Sequence, residues 1–272
     1  MNKLQQQEHV KPINATQSHS KSFVEYKQKT SKLQMYMQLV DASLTQSTFK
    51  MKNAYKCKSA PTINEALNLP KDKYSGLTKS IDKFSWVVTE TKAQQMEMII
   101  CRLYSLFTDF LKSIVKELYA QHPKETIGAL CNKHEGRDVS YYKIIELGDY
   151  EKLSTFMIEN VFRDLSKDKQ GTKELLDKIL KCAKISIPNK ERDGALQYLE
   201  VRHLIIHNSS IVDNIYANAY GKKFAKQLKT GDAVPNNYTF TKAAIAKTYR
   251  LCDIIDRELI QAKLINPIQS TK

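Results

Sequence analysis

Glycine and proline are scarce in this chain, with eight and seven among 272 residues. No series of strands and turns can be traced along it, and apolar residues recur mainly at helical spacing. Few turn residues combined with a helical period predict an all-α protein. No motif recurs at intervals of about 20–50 residues, which excludes a solenoid of stacked repeats.

Paired cysteines are also missing. The five cysteines are scattered without a CxxC pair, which is typical of a reducing compartment and argues against a disulfide framework. The first 21 residues lack an apolar core of the signal-peptide type, and no apolar run approaches the 18 or so residues of a membrane span. We therefore expect a cytoplasmic protein with no membrane contact.

The common cofactor and nucleophile motifs do not occur either. The patterns GxxxxGK[ST], GxGxxG and GxSxG are absent, and the one similar string, AYGKK, lacks the upstream glycine. These absences exclude a P-loop, a dinucleotide fingerprint and a serine nucleophile elbow. No cofactor is predicted.

Positive charge is abundant. Lys and Arg number 43 against 29 Asp and Glu, and the net charge is +14. A basic excess of this size favours a polyanionic partner such as RNA, although a lysine-rich solvated surface is the simpler alternative. Residues 1–75 contain 12 lysines, no arginine and 5 acidic residues, and so carry +7 of this charge.

The same 75 residues are rich in polar side chains, and they predict a basic extension outside the main domain. One helix is expected in it, at 23–44, followed by an irregular linker at 45–75 with Pro61 and Pro70. We expect this extension to add electrostatic affinity for RNA. The boundary is placed near Gly76, so that residues 76–272 form the main domain.

Periodicity predicts a helical bundle in that domain. The longest apolar stripe runs from Met96 to Leu118 and stops before Pro123. Further helices are predicted at 150–165, 172–184, 193–208 and 241–264, whereas 141–147 fits either a strand or a short helix. In the helix at 193–208, Asp193 is the expected N-cap, and Asn208 is expected to end the helix in the left-handed conformation.

The end of the predicted helix at 193–208 places chargeable side chains in an apolar run, EVRHLIIHNSSIVD (200–213). A helical wheel divides it into two apolar faces, of which only one is chargeable. The uncharged face contains Tyr198, Val201, Leu204 and Ile205. The chargeable face contains Leu196, Leu199, Arg202, His203, Ile206 and His207. A helix that is apolar all round must be enclosed by its own domain or by another subunit. A symmetric homodimer would cover this second face most simply and close a polar cleft.

The spacing Arg202-x4-His207, with a polar residue after the arginine, resembles the motif of the HEPN superfamily. The longer string RHLIIHNSSIVD is similar to the variant of the RiboL-PSP-type HEPN branch. The resemblance implies a HEPN-like helical bundle and a metal-independent ribonuclease of a toxin–antitoxin or phage-defence system. It also implies an antitoxin or defence-system partner. Where the family commonly has Asn after the arginine, this chain has His203.

The chemistry of metal-free RNA cleavage suits these side chains. Histidine can accept and donate a proton near neutral pH, and arginine offers a planar, charged fork to phosphate oxygens. We assign His207 as general acid/base and Arg202 as the phosphate-binding group. His203 orients the phosphate or takes the second proton role. Asn208 either contacts substrate or caps the helix, and capping is preferred.

Several alternatives remain open from the sequence. The family's first helix often carries an acid in a Glu-x-φ-φ context, and Asp109 is the expected counterpart, unless it is simply a solvated helix residue. His203 and His207 have the i, i+4 spacing of a zinc helix but no evident third ligand. Cys131-x2-His134 is a second, weak metal pattern. The alternative function is a non-catalytic helical module that binds nucleic acid or a partner.

Overall fold

The computed structural model describes residues 18–57, 62–123, 126, 139–167, 172–224 and 226–268. Within these ranges the fold is all-α, as predicted, and extended pairing is limited to two isolated bridges, Thr62 with Ser80 and Ile211 with Ala233. The α-helices are α1 (Lys21–Cys57), α2 (Ile63–Leu67), α3 (Phe84–Gln121), α4 (Tyr141–Leu147), α5 (Tyr150–Lys167), α6 (Thr172–Ala183), α7 (Asn189–Leu199), α8 (Val201–His207), α9 (Asn214–Tyr220) and α10 (Tyr238–Gln261). None of the helices in the described ranges combines the length and apolar character needed to cross a membrane.

Helix α3 is the central element of the bundle. Its apolar positions recur every three or four residues from Met96 to Leu118, and all of those predicted to face the core are buried. The helix ends at Gln121, two residues before Pro123, because proline cannot supply the backbone N–H that a continuing helix needs. The stripe from Met96 to Leu118 therefore faces the core, as the sequence predicts.

Helix α1 packs along α3 in the antiparallel direction. Near the start of α1, the Ser22 backbone N–H donates to the Glu117 carboxylate near the end of α3 at 2.9 Å. Further along, Lys92 near the start of α3 donates to Asp41 at 2.8 Å. These two contacts, one at the start of α1 and one near its middle, fix the antiparallel direction of the pair.

Helix α10 closes the bundle against α1, α3 and α7. Its Asp256 is fully buried and accepts hydrogen bonds from His19 Nδ1 at 2.9 Å and from the Ser20 backbone N–H. A buried carboxylate needs such partners, since an unpaired charge in a core costs several kcal/mol. The start of α1 is therefore fastened to the last helix by a polar contact inside the core.

The prediction that residues 1–75 lie outside the main domain is wrong for the described part of that range. Phe23, Tyr26 and Met37 of α1 belong to the same core cluster as α3 and α10. Moreover, α1 continues into the predicted linker as far as Cys57. The hydroxyls of Thr45 and Thr48 donate to the carbonyls of Asp41 and Leu44 four residues earlier, at 2.7 and 2.8 Å, so these polar residues are satisfied inside a helix.

A second, smaller core stabilises the far end of the α1–α3 pair. Met51, Ile63, Phe84 and Val88 are buried together there. Helix α2 contributes Ile63, and its N-cap Thr62 accepts a hydrogen bond from the Glu65 backbone N–H. The segment expected to be an irregular linker thus covers the end of the helical pair.

The predicted helix at 193–208 is divided in two. Helix α7 begins earlier, at Asn189, and a turn at Glu200 separates it from α8. Asp193 is therefore not an N-cap but lies within α7, where it pairs with Lys223 at 2.7 Å. At the turn, the His203 N–H donates to the Glu200 carbonyl three residues earlier, at 3.0 Å, which is tighter than the α-helical pattern.

We expect Phe23→Ala to lower the free energy of unfolding by about 3–5 kcal/mol, the usual loss for a buried phenylalanine. Phe23 has 0% exposed surface, whereas Phe49 on the same helix is 69% exposed. Phe49→Ala is therefore the matched control and should change the free energy by less than about 0.5 kcal/mol. Urea unfolding followed by circular dichroism measures both. If both variants change the free energy of unfolding by the same small amount, α1 does not contribute to the core and is a separate extension.

Candidate active site

Helix α8 presents the predicted Arg202–His207 pair on its outer side. Val201 and Leu204 are 0% and 1% exposed and anchor the helix to the core beside α3. A rotation of about 100° per residue then turns Arg202, His203 and His207 away from the anchored face. Arg202 is half-buried, and both histidines are exposed. The structure thus brings the three predicted catalytic residues to one outward face.

Arg202 is held by an aromatic ring of α3. Its guanidinium carbon lies 5.2 Å from the centre of the Tyr104 ring, within the range of a cation–π contact. No carboxylate of the described residues forms an ion pair with Arg202, so its charge remains available to an anion. Tyr104 can therefore orient the guanidinium without neutralising it.

Cys101 lies one turn before Tyr104 and shares its side of α3. Burial raises the pKa of the Cys101 thiol, the positive charge of Arg202 acts in the opposite direction, and Glu97 adds to the increase. The raised pKa keeps this thiol protonated near neutral pH, which does not suit a nucleophile. The effects of Arg202 and Glu97 on the Cys101 pKa show instead that both charges are close to this part of α3.

The two histidines are neighbours. The ring centres of His203 and His207 lie 4.8 Å apart with an angle of 46° between the ring planes. Two imidazoles at this distance can both contact one small anion, as a pair that divides the two proton transfers must. In the described residues no group of three His, Cys, Asp or Glu side chains has a metal-binding arrangement. Cys131 and His134 lie outside the described residues.

Glu97 is an acidic residue that the structure brings to this region, and it was not among the site residues predicted from the sequence. Its carboxylate accepts a hydrogen bond from Ser210 Oγ at 2.7 Å and a longer one from Asn236 Nδ2 at 3.4 Å. Glu97-Met98-Ile99-Ile100 matches the Glu-x-φ-φ pattern literally, so a signal for it was present in the sequence.

Asp109, the acid predicted for this role, lies elsewhere. It is exposed, and it follows Tyr104 by five residues, which means about 140° around the helix and about 7.5 Å along it. The structure therefore does not bring Asp109 to the face of α3 that contacts Arg202. Its position gives no support to a substrate-binding role.

Asn208 ends α8, in agreement with the preferred capping role, but its backbone is not left-handed, with φ −134°. The left-handed residues are the next two, Ser209 and Ser210, at φ 50° and 61°. The Asn208 side-chain amide donates to the Ile211 carbonyl at 2.6 Å, so its donor group is engaged within the loop. This contact supports a structural role rather than substrate binding.

Two successive left-handed serines are costly, at roughly 1–2 kcal/mol for each residue other than glycine. The Ser210 N–H donates to the Leu204 carbonyl at 3.0 Å, and its carbonyl accepts from the Val234 N–H at 2.8 Å. With the side-chain bond to Glu97, three contacts hold Ser210 in this conformation. They join the end of α8 to α3 and to the segment before α10.

The predicted second apolar face is only partly exposed. Leu199 is 1% exposed because α7 is enclosed by α3, α6 and α10 of the same chain. Its apolar surface therefore needs no second subunit, contrary to the sequence argument. Ile206 differs, with 49% of its surface exposed next to the histidines. Met98, which follows Glu97 on α3, is 61% exposed.

Comparisons with family models, with curated proteins and with solved structures give no match to this chain.

Glu97→Ala should lower the free energy of unfolding by about 1–2 kcal/mol, since a hydrogen bond to a charged group is lost and Ser210 keeps its strained backbone. The NMR signals of the His207 ring should shift as well, because the loop after α8 loses its attachment to α3. Glu90→Ala, an exposed acid two turns earlier on α3, is the control and should change neither quantity. Unchanged His207 signals in Glu97→Ala would contradict this role.

Proposed function

We propose that this chain is a metal-independent endoribonuclease of the HEPN type, acting as a toxin or phage-defence effector. The observation that carries the proposal is the common outward face of Arg202, His203 and His207, with the guanidinium held against Tyr104 and not ion-paired to any carboxylate of the described residues. The net charge of +14 supports a polyanionic substrate.

The reaction needs two proton transfers and one charge to hold the phosphate. His207 acts as general acid/base and His203 takes the complementary role, so one imidazole removes the 2′-OH proton. The 2′-oxygen then bonds to phosphorus as the bond from phosphorus to the 5′-oxygen breaks, and the other imidazole protonates that leaving oxygen. Arg202 stabilises the charge that develops on the phosphate oxygens. The products are a 2′,3′-cyclic phosphate and a 5′-hydroxyl.

A homodimer would complete this site. Ile206 lies beside the histidines with half of its surface in water, so each chain offers an apolar side chain within the polar face. Burial of such surface contributes roughly 25 cal/mol per Å². A symmetric pairing would also bring two Arg202 side chains to one cleft and strengthen the attraction for a phosphate. Any antitoxin or other defence partner would act by covering the same face.

We expect the purified protein to cleave total RNA in the presence of EDTA and to leave 2′,3′-cyclic phosphate or 3′-phosphate ends. His207→Ala should lose about 10²–10⁴-fold in rate, the usual value of general acid/base catalysis. Arg202→Ala should lose most of the activity. Arg250→Ala removes an exposed arginine of α10 and is the control that should keep it.

Circular dichroism of each variant separates a catalytic loss from unfolding. A strict requirement for Mg²⁺ or Zn²⁺ would contradict the metal-free mechanism. A loss of less than about tenfold in His207→Ala would remove that residue from proton transfer. Wild-type protein that binds RNA and leaves it intact would identify the alternative, a non-catalytic binding module.

Ile206→Glu should convert the dimer to a monomer and abolish cleavage together, because a buried unpaired carboxylate would be forced into the interface. Ile145→Glu on α4 places the same charge at an exposed isoleucine of another helix and should change neither property. Light scattering gives the mass of each variant. A fully active wild-type monomer would contradict the composite site, and so would an Ile206→Glu variant that stays dimeric and active.

A further inference from the structure

A cavity of about 780 Å³ lies between the segment that precedes α10 and the first turns of α10 itself. Its lining includes Tyr198 at the end of α7, Phe224 in the segment, and Phe240 and Ala243 of α10. None of these residues belongs to the site described above. A volume in the range of about 300–1,000 Å³ is typical of small-molecule sites.

Three aromatic rings form the wall of this cavity. The Tyr198 ring lies 4.9 Å from Phe240 and 5.5 Å from Phe224, both edge to face, and Phe224 is stacked on Phe240 at 5.8 Å. These mutual contacts hold the rings in place without a ligand. A preformed aromatic wall favours a flat, aromatic guest over a flexible aliphatic one.

Lysines outnumber acidic residues on the segment before α10 that supplies part of the cavity lining. Lys226 lines it, and Lys222 and Lys229 are exposed on the same short segment. Asp232 is the acidic residue of the lining, and one of its oxygens accepts a hydrogen bond from the Lys229 backbone N–H at 2.8 Å. Lys226 and Asp232 balance in the lining itself, so the positive charge that favours an anion comes from the other lysines of the segment. A nucleotide is one guest that joins an aromatic ring to an anion.

The same segment connects the cavity to the candidate active site. The Val212 N–H donates to the Asp232 carbonyl at 2.9 Å, directly after the left-handed serines that follow α8. Asn236, which reaches toward Glu97, stands between Pro235 and Asn237, two residues of the cavity wall. The segment therefore has the cavity on one side and the Glu97–Ser210 contact on the other.

We propose that this cavity binds a nucleobase of the RNA substrate, with the base against the aromatic wall and a neighbouring phosphate near Lys226. The proposal rests on the proposed function in that the base is assigned to an RNA substrate. Such a pocket would give the enzyme a preference for one base in the RNA that it binds.

Titration calorimetry of the full-length protein with the four ribonucleoside 5′-monophosphates tests this, with ribose 5-phosphate as the ligand that lacks a base. Stacking of one base on an aromatic ring contributes about 1–3 kcal/mol of binding free energy. At least one nucleotide should therefore bind about fivefold or more tightly than ribose 5-phosphate. Ala243→Trp fills the cavity and should abolish that difference. Ala246→Trp makes the same change on the exposed side of α10 and should keep it.

Thr239→Trp, at an exposed lining position, is the second filling variant and serves if Ala243→Trp does not fold. Saturation-transfer NMR should show contact between the base protons and the protein for wild type and Ala246→Trp, but not for the cavity-filling variants. Equal binding of nucleotides and ribose 5-phosphate would overturn the proposal, and so would unchanged nucleotide binding in folded cavity-filling variants. RNA cleavage is measured in parallel: cleavage without base binding contradicts this inference alone, and base binding without cleavage contradicts the proposed function alone.

Discussion

The arrangement of the candidate site depends on the attachment of one short helix to one long one. Helix α8 has seven residues, far fewer than an isolated helix needs to be stable in water. It is held because Val201 and Leu204 are buried beside α3 and because Arg202 lies over Tyr104. The same contacts that stabilise the helix therefore determine which side chains face outward.

Helix α3 serves two purposes on two neighbouring faces. Its apolar stripe builds the main core, and the adjacent line of Glu97, Cys101 and Tyr104 meets α8 and the loop after it. Since a helix of 38 residues packed on α1 and α10 is rigid, the guanidinium of Arg202 and the serines after α8 share one fixed support. Rigid support of this kind is what a preorganised site requires.

Polar contacts inside the bundle fix the positions of its longest helices. Asp256 of α10 receives hydrogen bonds from His19 and Ser20, and Glu117 of α3 receives two from Ser22, from its backbone N–H and its hydroxyl. All three donor residues lie at the start of α1, where a helix presents unpaired N–H groups and favours negative charge. The start of α1 is thereby joined to two other helices, which explains why a lysine-rich, polar sequence is part of the core.

Much of the fold was predictable from local patterns. The stripe of α3, its end before Pro123, and the helical nature of residues 150–165, 172–184 and 241–264 all follow from spacing and helix-breaking residues, which act over a few positions. The role of α1 was not predictable in this way. Its apolar positions are too few to reveal a core face, and only the contacts with α3 and α10 show that Phe23 and Tyr26 are buried.

The features of the candidate site can also be separated into those set by local sequence and those set by tertiary packing. The sequence by itself determined that Arg202, His203 and His207 share the outer side of a helix, because rotation per residue is a local property. Only the tertiary structure decided that Leu199 is covered within its own chain, that Glu97 rather than Asp109 meets the loop after α8, and that Tyr104 holds the guanidinium. Each of these depends on which helix packs on which face, and long-range packing reflects the burial available in the whole bundle rather than the order of neighbouring residues.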